Sequence, residues 1–328
     1  MKIFVGRNVM NNLYPVKLYP AYKDYLWGGD KLKTYFNKNT DLTPLAESWE
    51  LSTHKDGQSI VASGEHAGKT FGEYLETVGR NALGKRAERF DYFPLLIKLI
   101  DASGSLSVQV HPTDEYALKN EGEYGKTEMW YVLDCEEGAM LYYGFSRDVT
   151  KSEYERAIKE GSLTELLNSV SVKRGDVFFI PSGTVHAIGA GILICEIQQN
   201  SNTTYRVYDY NRRDKNGNLR ALHIDKALEV SDLKKSPPLP EISDGDEVTL
   251  AHCEYFEVKR LRVDERKDIF VDGESFLSII VTDGEGSLDF EGGSLDLIKG
   301  DSVFIPANAG KLTARGKCEL ILSRVGDK

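Results

Sequence analysis

Cysteine is scarce in this sequence, and long apolar runs are missing from it. The four cysteines among 328 residues lie far apart, and none belongs to a CxxC pair. A disulfide framework and a thiolate zinc site are therefore both excluded. No window approaches the roughly 20 apolar residues that a membrane-crossing helix needs. Met1–Tyr25 carries charges throughout and lacks the apolar core of a signal peptide. Together these absences predict a protein of the reducing cytoplasm.

Positive charge is also in short supply. The chain has 41 Lys and Arg against 51 Asp and Glu, a formal net charge of −10. Such a protein is not expected to bind nucleic acid or an acidic membrane, because both need a cationic surface. An anionic ligand would have to be bound by a few local cations. Individual Lys and Arg residues near a cleft are therefore more informative than the total.

Only two segments have a clear helical pattern. In Lys69–Val78, apolar residues recur at i, i+3, i+4 and i+7, which places them on one helix face. Thr150 and Glu153 have the spacing of a capping box, which predicts a second helix from that point. We expect helical insertions at about 69–90 and 150–169 in a first part that is otherwise rich in strands.

Most of the remaining sequence is typical of short β-strands. Runs of β-branched and aromatic residues, bounded by Gly, Pro, Asp or Asn, recur at regular spacing. In the first part these runs are Leu95–Ile100, Ser105–Val110, Met129–Leu133, Met140–Tyr143, Val177–Ile180, Ile192–Ile197 and Thr204–Tyr208. The pattern predicts a mainly β fold, a sandwich or a barrel with helices on one side.

A proline-dense segment divides the chain. Ser236–Pro240 has the sequence Ser-Pro-Pro-Leu-Pro, which disfavours both helix and strand, and we interpret it as a linker. Single hydrophobic cores stop growing at roughly 250–300 residues, so a chain of this length is expected to form two units. We assign residues 1–235 to the first unit and residues 241–328, which have a purely strand-like pattern, to the second.

The two units share an internal repeat. Residues 173–181, Lys-Arg-Gly-Asp-Val-Phe-Phe-Ile-Pro, match residues 298–306, Ile-Lys-Gly-Asp-Ser-Val-Phe-Ile-Pro. One turn–strand–Pro unit occurring twice predicts a duplicated barrel. The first copy continues to His186, whereas the second continues to Lys311 without a histidine. Metal chemistry is therefore predicted only in the first unit.

His186 lies in a motif with the spacing of a metal site. Gly175-x5-Pro181-x-Gly183-x2-His186 resembles the second motif of the cupin superfamily, whose members are double-stranded β-helix (jelly-roll) barrels. In cupins this histidine binds the metal and projects into the barrel. The resemblance implies two cupin barrels here, the second without a metal.

A metal-binding set can be assembled around this histidine. The first cupin motif usually supplies His-x-His and then Glu, and the corresponding segment here is Gln109-Val110-His111 with Glu128 after it. Residues i and i+2 of a strand face the same side, so Gln109 and His111 can bind one ion. Two imidazoles, a carboxylate and an amide suit Zn²⁺, with Mn²⁺ or Co²⁺ as substitutes. We predict one zinc ion per chain at this site. The histidines that we expect to be structural or at the surface are His54, His66, His223 and His252.

Longer motifs narrow the resemblance. Residues 107–112 (Ser-Val-Gln-Val-His-Pro), 126–130 (Lys-Thr-Glu-Met-Trp) and 196–209 resemble the type I mannose-6-phosphate isomerases, and the short bacterial form of that family is closest in length. One departure is visible. The family often has Ala-His-Pro where this chain has Thr53-His54-Lys55, so we assign no role to His54.

The resemblance implies an aldose–ketose isomerase that interconverts mannose 6-phosphate and fructose 6-phosphate through an enediol(ate). Such an enzyme needs an acid/base group, stabilisation of negative charge on O1 or O2, and cations for the phosphate. Arg206 matches the arginine of the family's active site, and Glu196 is our second candidate catalytic residue. Ser107 and Lys126 match residues that line the substrate pocket. The expected partner is a phosphorylated hexose.

Two alternatives stay open from the sequence. A cupin isomerase or epimerase of another hexose phosphate would need the same groups, because no residue distinguishes the configuration at C2. A non-catalytic sugar-binding cupin with a structural metal is the second alternative. The nearby Lys126, Glu196 and Arg206 argue against it, since a purely structural site does not need them.

Overall fold

Antiparallel strands dominate the molecule, as the sequence predicts. The computed structural model describes residues 13–213 and 217–328. The helices are α1 (Lys31–Phe36), α2 (Phe71–Val78), α3 (Asp114–Asn120), α4 (Lys151–Glu160) and α5 (Ile224–Val230), with 3-10 turns at Arg80–Leu83, Lys85–Arg89 and Leu163–Glu165. The strands of the first part are β1 (Val16–Tyr19), β2 (Ala21–Lys23), β3 (Glu47–Leu51), β4 (Ile60–Val61), β5 (Leu95–Ala102), β6 (Val108–Val110), β7 (Glu128–Cys135), β8 (Met140–Phe145), β9 (Leu167–Ser171), β10 (Val177–Ile180), β11 (His186–Ala187), β12 (Ile192–Gln199) and β13 (Tyr205–Tyr208). Those of the last part are β14 (Glu247–His252), β15 (Phe256–Val271), β16 (Leu277–Phe290), β17 (Gly293–Ile298), β18 (Ser302–Ile305) and β19 (Gly310–Val325).

The strands form three sheets. A six-stranded sheet has the order β10-β7-β12-β5-β3-β2, and a five-stranded sheet has the order β13-β6-β11-β8-β9. The eight-stranded sheet runs β14-β15-β19-β16-β18-β1-β4, with β17 paired to β16. The mainly β fold is thus confirmed. Within the described ranges each sheet is open, so the barrels implied by the resemblance are stacked sheets and not closed hydrogen-bonded rings.

The three sheets stack on one another, because apolar side chains of the central sheet are buried on both of its faces. One face of the six-stranded sheet packs against the five-stranded sheet through a core that includes Trp130, Ile194 and Tyr143. Its other face, with Met129 and Ile197, packs against the eight-stranded sheet. Period-two alternation in β7 and β12 explains this, because successive side chains point to opposite faces. The central sheet is therefore buried on both sides.

The eight-stranded sheet contains strands from both predicted units. Val16 of β1 is in register with Phe304 of β18, and β1 also pairs with β4. Ser236–Pro240 has no regular secondary structure, as expected for a linker. The division at this segment stays a prediction, because the amino-terminal strands β1 and β4 complete the sheet of the last part.

Local signals account for where the two predicted helical insertions begin and end. Thr70 accepts a hydrogen bond from the Glu73 amide, and the Glu73 carboxylate accepts one from the Thr70 amide, so α2 begins with a complete capping box. Thr150 caps α4 in the same way, but Glu153 pairs with Arg147 and leaves that box half formed. Residues 167–171 are strand β9, so the second insertion ends earlier than the predicted 169.

No helix in the described ranges is long and apolar enough to cross a membrane. All four cysteines carry free thiols, in agreement with the sequence. Residues 1–12, on which the predicted lack of a signal peptide partly rests, lie outside the described part.

Candidate metal centre

Facing strands direct polar side chains into the space between the six- and five-stranded sheets. On β6, Val108 and Val110 pack on the outer face beside α4 and α5, so Gln109 between them points inward. His186 of β11 is directly opposite Gln109 in the register. On β7, Glu128 shares the inner face with Trp130, two residues on. The sandwich interior thus receives these polar groups from both walls.

The predicted ligand residues come together at one point. The Glu128 carboxylate lies 3.2 Å from His186 Nε2 and 3.6 Å from His111 Nε2. One ligand atom from each of these three buried residues lies within 4.8 Å of the others, as a single metal ion requires. The amide nitrogen of Gln109 is 3.4 Å from His186 Nε2. A half-turn of that amide would present its oxygen to the cluster instead.

Both imidazoles are oriented for metal binding. His111 Nδ1 lies 2.9 Å from the carbonyl oxygen of Thr203, and His186 Nδ1 lies 2.8 Å from that of Thr184. Each Nδ1 therefore carries the proton and leaves the Nε2 lone pair for the centre. Burial lowers the pKa of His186 to about 4, and burial together with Lys126 lowers the pKa of His111 well below its usual value. Both rings are neutral at physiological pH, as ligands must be.

The Glu128 carboxylate tests whether a cation fits. Both of its oxygens are buried, and neither accepts a hydrogen bond of normal geometry. Lys126 Nζ lies 2.6 Å from one oxygen, so one counter-charge is present. Burial, and then the charge of Glu196, raise the pKa of Glu128 to about 7. A buried carboxylate with unsatisfied oxygens is costly, and a divalent cation between it and two neutral imidazoles would satisfy it. The residues present fit such an ion.

A cavity of about 270 Å³ opens beside this cluster. All the predicted catalytic and substrate-binding residues, Arg206, Glu196, Ser107 and Lys126, line it, together with Gln109. The other lining residues are Tyr25, Trp27, Glu47, Lys98, Ile100, Leu106, Ile188, Asn202, Thr204, Arg220 and His223. Gln109 and Lys126 connect this cavity with the ligand cluster, because Gln109 contacts His186 and Lys126 contacts Glu128.

The inner end of the cavity holds a buried charge network. Glu196 is 3.2 Å from Lys98 Nζ and 3.8 Å from Lys126 Nζ, and it accepts a 3.0 Å hydrogen bond from Trp130 Nε1. Burial alone would raise the pKa of Glu196, but the charges of Lys126 and Lys98 outweigh it and lower the pKa. Lys98 keeps its proton, because Glu47 and Glu196 offset its own burial and raise its pKa. An ionised carboxylate and two ammonium groups thus face the cavity.

Arginines gather at the outer end. Arg206 of β13 is opposite Gln109 in the register and donates from Nε to Ser107 Oγ at 3.2 Å. Asp209 is shared by Arg212 and Arg220, whose Nε donates to it at 2.7 Å. Burial lowers the pKa of Arg206, and the charges of Arg220 and Arg212 lower it further. Three guanidinium groups around one carboxylate leave an excess of positive charge in an acidic protein.

Several lining residues received no role from the sequence, among them Lys98, Asn202, Arg220 and His223. Lys98 has a visible signal, since it is a lysine in the centre of the eight-residue, fully buried strand β5. Asn202 lies within the motif of residues 196–209, whereas Arg220 lies in an irregular segment and has no such signal. His223, predicted to be structural, lines the cavity, and its amide donates to the Arg206 carbonyl at 2.8 Å. His54 is buried and does not line the cavity.

Stacked antiparallel sheets around a buried His–Glu–His cluster define the chain as a protein of the cupin class with a candidate metal site. Comparison with known proteins narrows this class. A model of the phosphomannose isomerase type I catalytic domain matches residues 16–142, and one of the mannose-6-phosphate isomerase cupin domain matches residues 246–325. The chain is 40% identical over 320 residues to the mannose-6-phosphate isomerase ManA of Bacillus subtilis, covering 95% of this chain and 99% of that protein. The chain belongs to the type I mannose-6-phosphate isomerase family.

Further relatives agree with this family. The mannose-6-phosphate isomerase of Streptococcus mutans is 35% identical over 317 residues, covering 94% of this chain and 98% of the relative. The crystal structure of the mannose 6-phosphate isomerase from Bacillus subtilis superposes with a TM-score of 0.87 at 38% identity, covering 94% of this chain and 99% of that one. Similarity thus extends through both the catalytic part and the carboxy-terminal part.

Proposed function

We propose that the protein interconverts mannose 6-phosphate and fructose 6-phosphate. One observation carries this proposal: the buried His111–Glu128–His186 cluster adjoins a cavity with an ionised carboxylate at one end and excess arginine charge at the other. A hexose 6-phosphate has matching ends, since proton transfer occurs at C1 and C2 and the dianion lies at C6. An aldose–ketose isomerase needs an acid/base group at the reacting carbons and positive charge at the phosphate.

We infer that one divalent ion, zinc in the native protein, is bound by Gln109, His111, Glu128 and His186. The nitrogen and oxygen donors suit zinc, and Mn²⁺ or Co²⁺ can take its place. When bound, the ion polarises a substrate oxygen. Three of the four residues are neutral, so the bound ion keeps a net positive charge beside the reacting carbons.

For the chemistry, we propose Glu196 and Arg206 as catalytic residues. Glu196 lies at the inner end of the cavity, and Arg206 reaches the same place from the arginine cluster because it is opposite Gln109 in the register. Glu196 is held ionised by Lys98 and Lys126, so its carboxylate can accept the proton that leaves one carbon and return it to the neighbouring one. The Arg206 guanidinium donates to the oxygen on which negative charge develops in the enediolate. Lys126 and Ser107 bind the substrate, the first through its ammonium group and the second through its hydroxyl.

At the outer end, the arginine cluster binds the phosphate. Arg220 lines the cavity and is held in place by Asp209, which leaves part of its planar guanidinium free for a phosphate oxygen. Arg212, which pairs with Asp209, adds positive charge to this cluster. Guanidinium groups suit phosphate because they donate two parallel hydrogen bonds.

A coupled assay tests the proposal. The purified protein is given mannose 6-phosphate, and formation of fructose 6-phosphate is followed with and without prior treatment by a chelator. We expect turnover that chelation abolishes and added zinc restores. Turnover of another hexose 6-phosphate but not this one would make the protein a different isomerase. Binding of the sugar phosphate without turnover would make it a sugar-binding cupin.

We also propose a cytoplasmic location and a division of labour along the chain. The four free cysteines are compatible with a reducing compartment. Residues 1–235 carry the metal and the substrate groups, and residues 241–328 support them as a metal-free cupin-like unit joined by the 236–240 linker.

A further inference from the structure

Three irregular segments meet on the His111 side of the metal centre. They are residues 53–57, 121–127 and 200–204, and none of them forms strand or helix. The middle segment leads directly into Glu128. The last segment connects β12 to β13 and lies against the cavity through Asn202. How these segments are held together decides where their backbone groups lie.

One carboxylate, that of Glu123, contacts both neighbouring segments. It accepts a hydrogen bond from the Asn202 amide at 3.3 Å and one from the Thr203 hydroxyl at 3.4 Å. On the other side it pairs with Lys55 Nζ at 2.7 Å and lies 3.5 Å from His54 Nε2. A single side chain thus links the three segments.

The segment held by Glu123 carries a group that acts on the metal centre. The Thr203 carbonyl accepts the hydrogen bond from His111 Nδ1, which directs the Nε2 lone pair, 3.1 Å from Lys126 Nζ, towards the metal centre. The same segment is tied to the 53–57 segment by the Asn202 side chain, which donates to Asp56 at 2.8 Å. Partners that orient a metal-binding histidine typically change metal affinity 10–100-fold when they are removed.

We propose that Glu123 is a positioning residue for the metal centre, which fixes the Thr203 carbonyl and thereby the tautomer and orientation of His111. The proposal rests on the proposed metal site and extends it to a residue that touches neither metal nor substrate. Glu123 is suited to this role because it is ionised. Burial would raise its pKa, but Lys55, the Asn202 amide and His54 outweigh burial and lower the pKa.

The matched control for this idea is Lys55. Its side chain is 73% exposed, so its ion pair with Glu123 is screened by water. The Asn202 amide and His54 remain to lower the pKa of Glu123 when Lys55 is removed. Lys55→Ala removes that partner and leaves both hydrogen bonds to the 200–204 segment in place. Glu123→Ala removes all the contacts of the carboxylate, whereas Glu123→Gln keeps an acceptor oxygen and loses the charge.

The test measures metal affinity directly, by competition between the protein and a chromophoric chelator for Co²⁺ and Zn²⁺. We expect the dissociation constant of Glu123→Ala to rise about 10–100-fold, that of Glu123→Gln to rise by less, and that of Lys55→Ala to stay within about twofold. The visible spectrum of the cobalt form should change in the Glu123 variants only. If Glu123→Ala fails to fold, the comparison is between Glu123→Gln and Lys55→Ala. A dissociation constant of Glu123→Gln above that of Lys55→Ala supports the proposal, and equal values overturn it.

A second readout separates this proposal from the proposed function. Histidine ¹⁵N resonances of the metal-free protein report the tautomer of His111 whether or not the protein is an isomerase. We expect a defined Nδ1–H tautomer in the wild type and a mixture in Glu123→Ala. Wild-type metal affinity together with an unchanged His111 tautomer in that variant would overturn the positioning role. Failure of the wild type to bind any divalent ion would instead overturn the proposed function.

Discussion

At the scale of single residues, the ligand histidines give the most direct test of the metal centre. His186 is fully buried, and its Nε2 lies 3.2 Å from Glu128. His186→Ala should remove the bound ion and the activity together, because three remaining donors hold a divalent ion much more weakly. Elemental analysis of protein purified without added metal measures this, and the wild type should contain about one zinc per chain.

The control for this substitution is His252→Ala. His252 is exposed and pairs with Asp327, far from the predicted ligands in sequence and on a strand of the last part, so its loss should leave the metal content and the rate unchanged. A wild type that contains no zinc and takes up none on addition would refute the prediction. Retention of a stoichiometric ion by His186→Ala would remove this histidine from the ligand set.

Arg206 is the residue whose role in charge stabilisation can be measured by kinetics. Removing one preorganised donor to a developing oxyanion costs roughly 10²–10³ in kcat. Arg206→Ala should lose activity on that scale and keep its metal, and Arg206→Lys should recover only part, because an ammonium lacks the planar fork. Arg156→Ala on the exposed face of α4 is the control. A higher KM with unchanged kcat would instead make Arg206 a phosphate binder.

Arg220 should show the opposite kinetic pattern. A hydrogen bond to a charged group contributes about 1.5–3 kcal/mol, which corresponds to roughly 10–100-fold in KM. Arg220→Ala should raise KM for the sugar phosphate by this amount and change kcat little. With free mannose as substrate, which has no phosphate, wild type and variant should turn over at equally low rates. An equal loss with both substrates would place Arg220 outside the phosphate site.

The sequence was informative at this scale where geometry is local. Gln109 and His111 share a strand face because they are two residues apart, and Gly183 precedes His186 at motif spacing. The same reasoning could not find Arg220, because only the tertiary fold brings its irregular segment to the cavity. Sequence reasoning also assigned no role to His223, since a single histidine in a polar stretch has no motif spacing that would indicate a binding site.

At the scale of elements, the amino-terminal cap of α2 allows a stability prediction. Thr70→Ala removes the side-chain acceptor for the Glu73 amide and should lower the free energy of unfolding by about 1 kcal/mol. Thr77→Ala, at an exposed position of the same helix, should change it little, since alanine has the higher helix propensity. Urea denaturation of metal-free protein measures both. Equal effects of the two substitutions would show that the cap contributes nothing.

Element boundaries were predictable in the first part and less so in the last. The predicted strand Leu95–Ile100 differs from β5 by only two residues at its end. By contrast, the sequence pattern predicts a strand over Phe256–Val263, whereas β15 continues to Val271. The charged run after Val263 has the composition of a turn, yet it stays extended because β19 pairs with it residue by residue as far as Val271. Asp268 also forms an ion pair with Lys311, which lies diagonally across from it on β19. Composition alone cannot show a partner some 45 residues away.

At the scale of the whole molecule, the central question is whether the metal-binding part depends on the last part. Phe304 of β18 packs against Phe71 of α2 with ring centroids 4.9 Å apart, and against Phe276 at 5.4 Å. The six-stranded sheet buries one entire face against the eight-stranded sheet. Removal of the last part would therefore expose a large apolar surface and leave β1 without its partner β18.

A chain that ends at Lys235 should consequently fail to fold cooperatively. Its β1 would keep only the two-residue strand β4 as a neighbour, and Phe71 would lose the aromatic ring that covers it. We expect a broad thermal transition, aggregation and no isomerase activity, with partial recovery when residues 241–328 are supplied as a separate chain. Phe304→Ala in the full chain is the milder companion, with an expected loss of about 3–5 kcal/mol. A truncated protein with a sharp transition and the full rate would show instead that residues 1–235 form an independent enzyme.

The last part should in turn bind no metal of its own. The interior of its sheet is filled by apolar side chains such as Leu288, Leu297 and Leu312, and the repeat of residues 298–306 is not followed by a histidine. Among the described residues of the last part, no three His, Cys, Asp or Glu side chains come close enough together to hold an ion. The desolvation of a divalent ion in this apolar interior would therefore be uncompensated. Zinc added in excess to the full chain should therefore saturate at one tightly bound ion, and His186→Ala should reduce that number to zero. A second tightly bound ion that persists in this variant would place a metal site in the last part and contradict its purely supporting role.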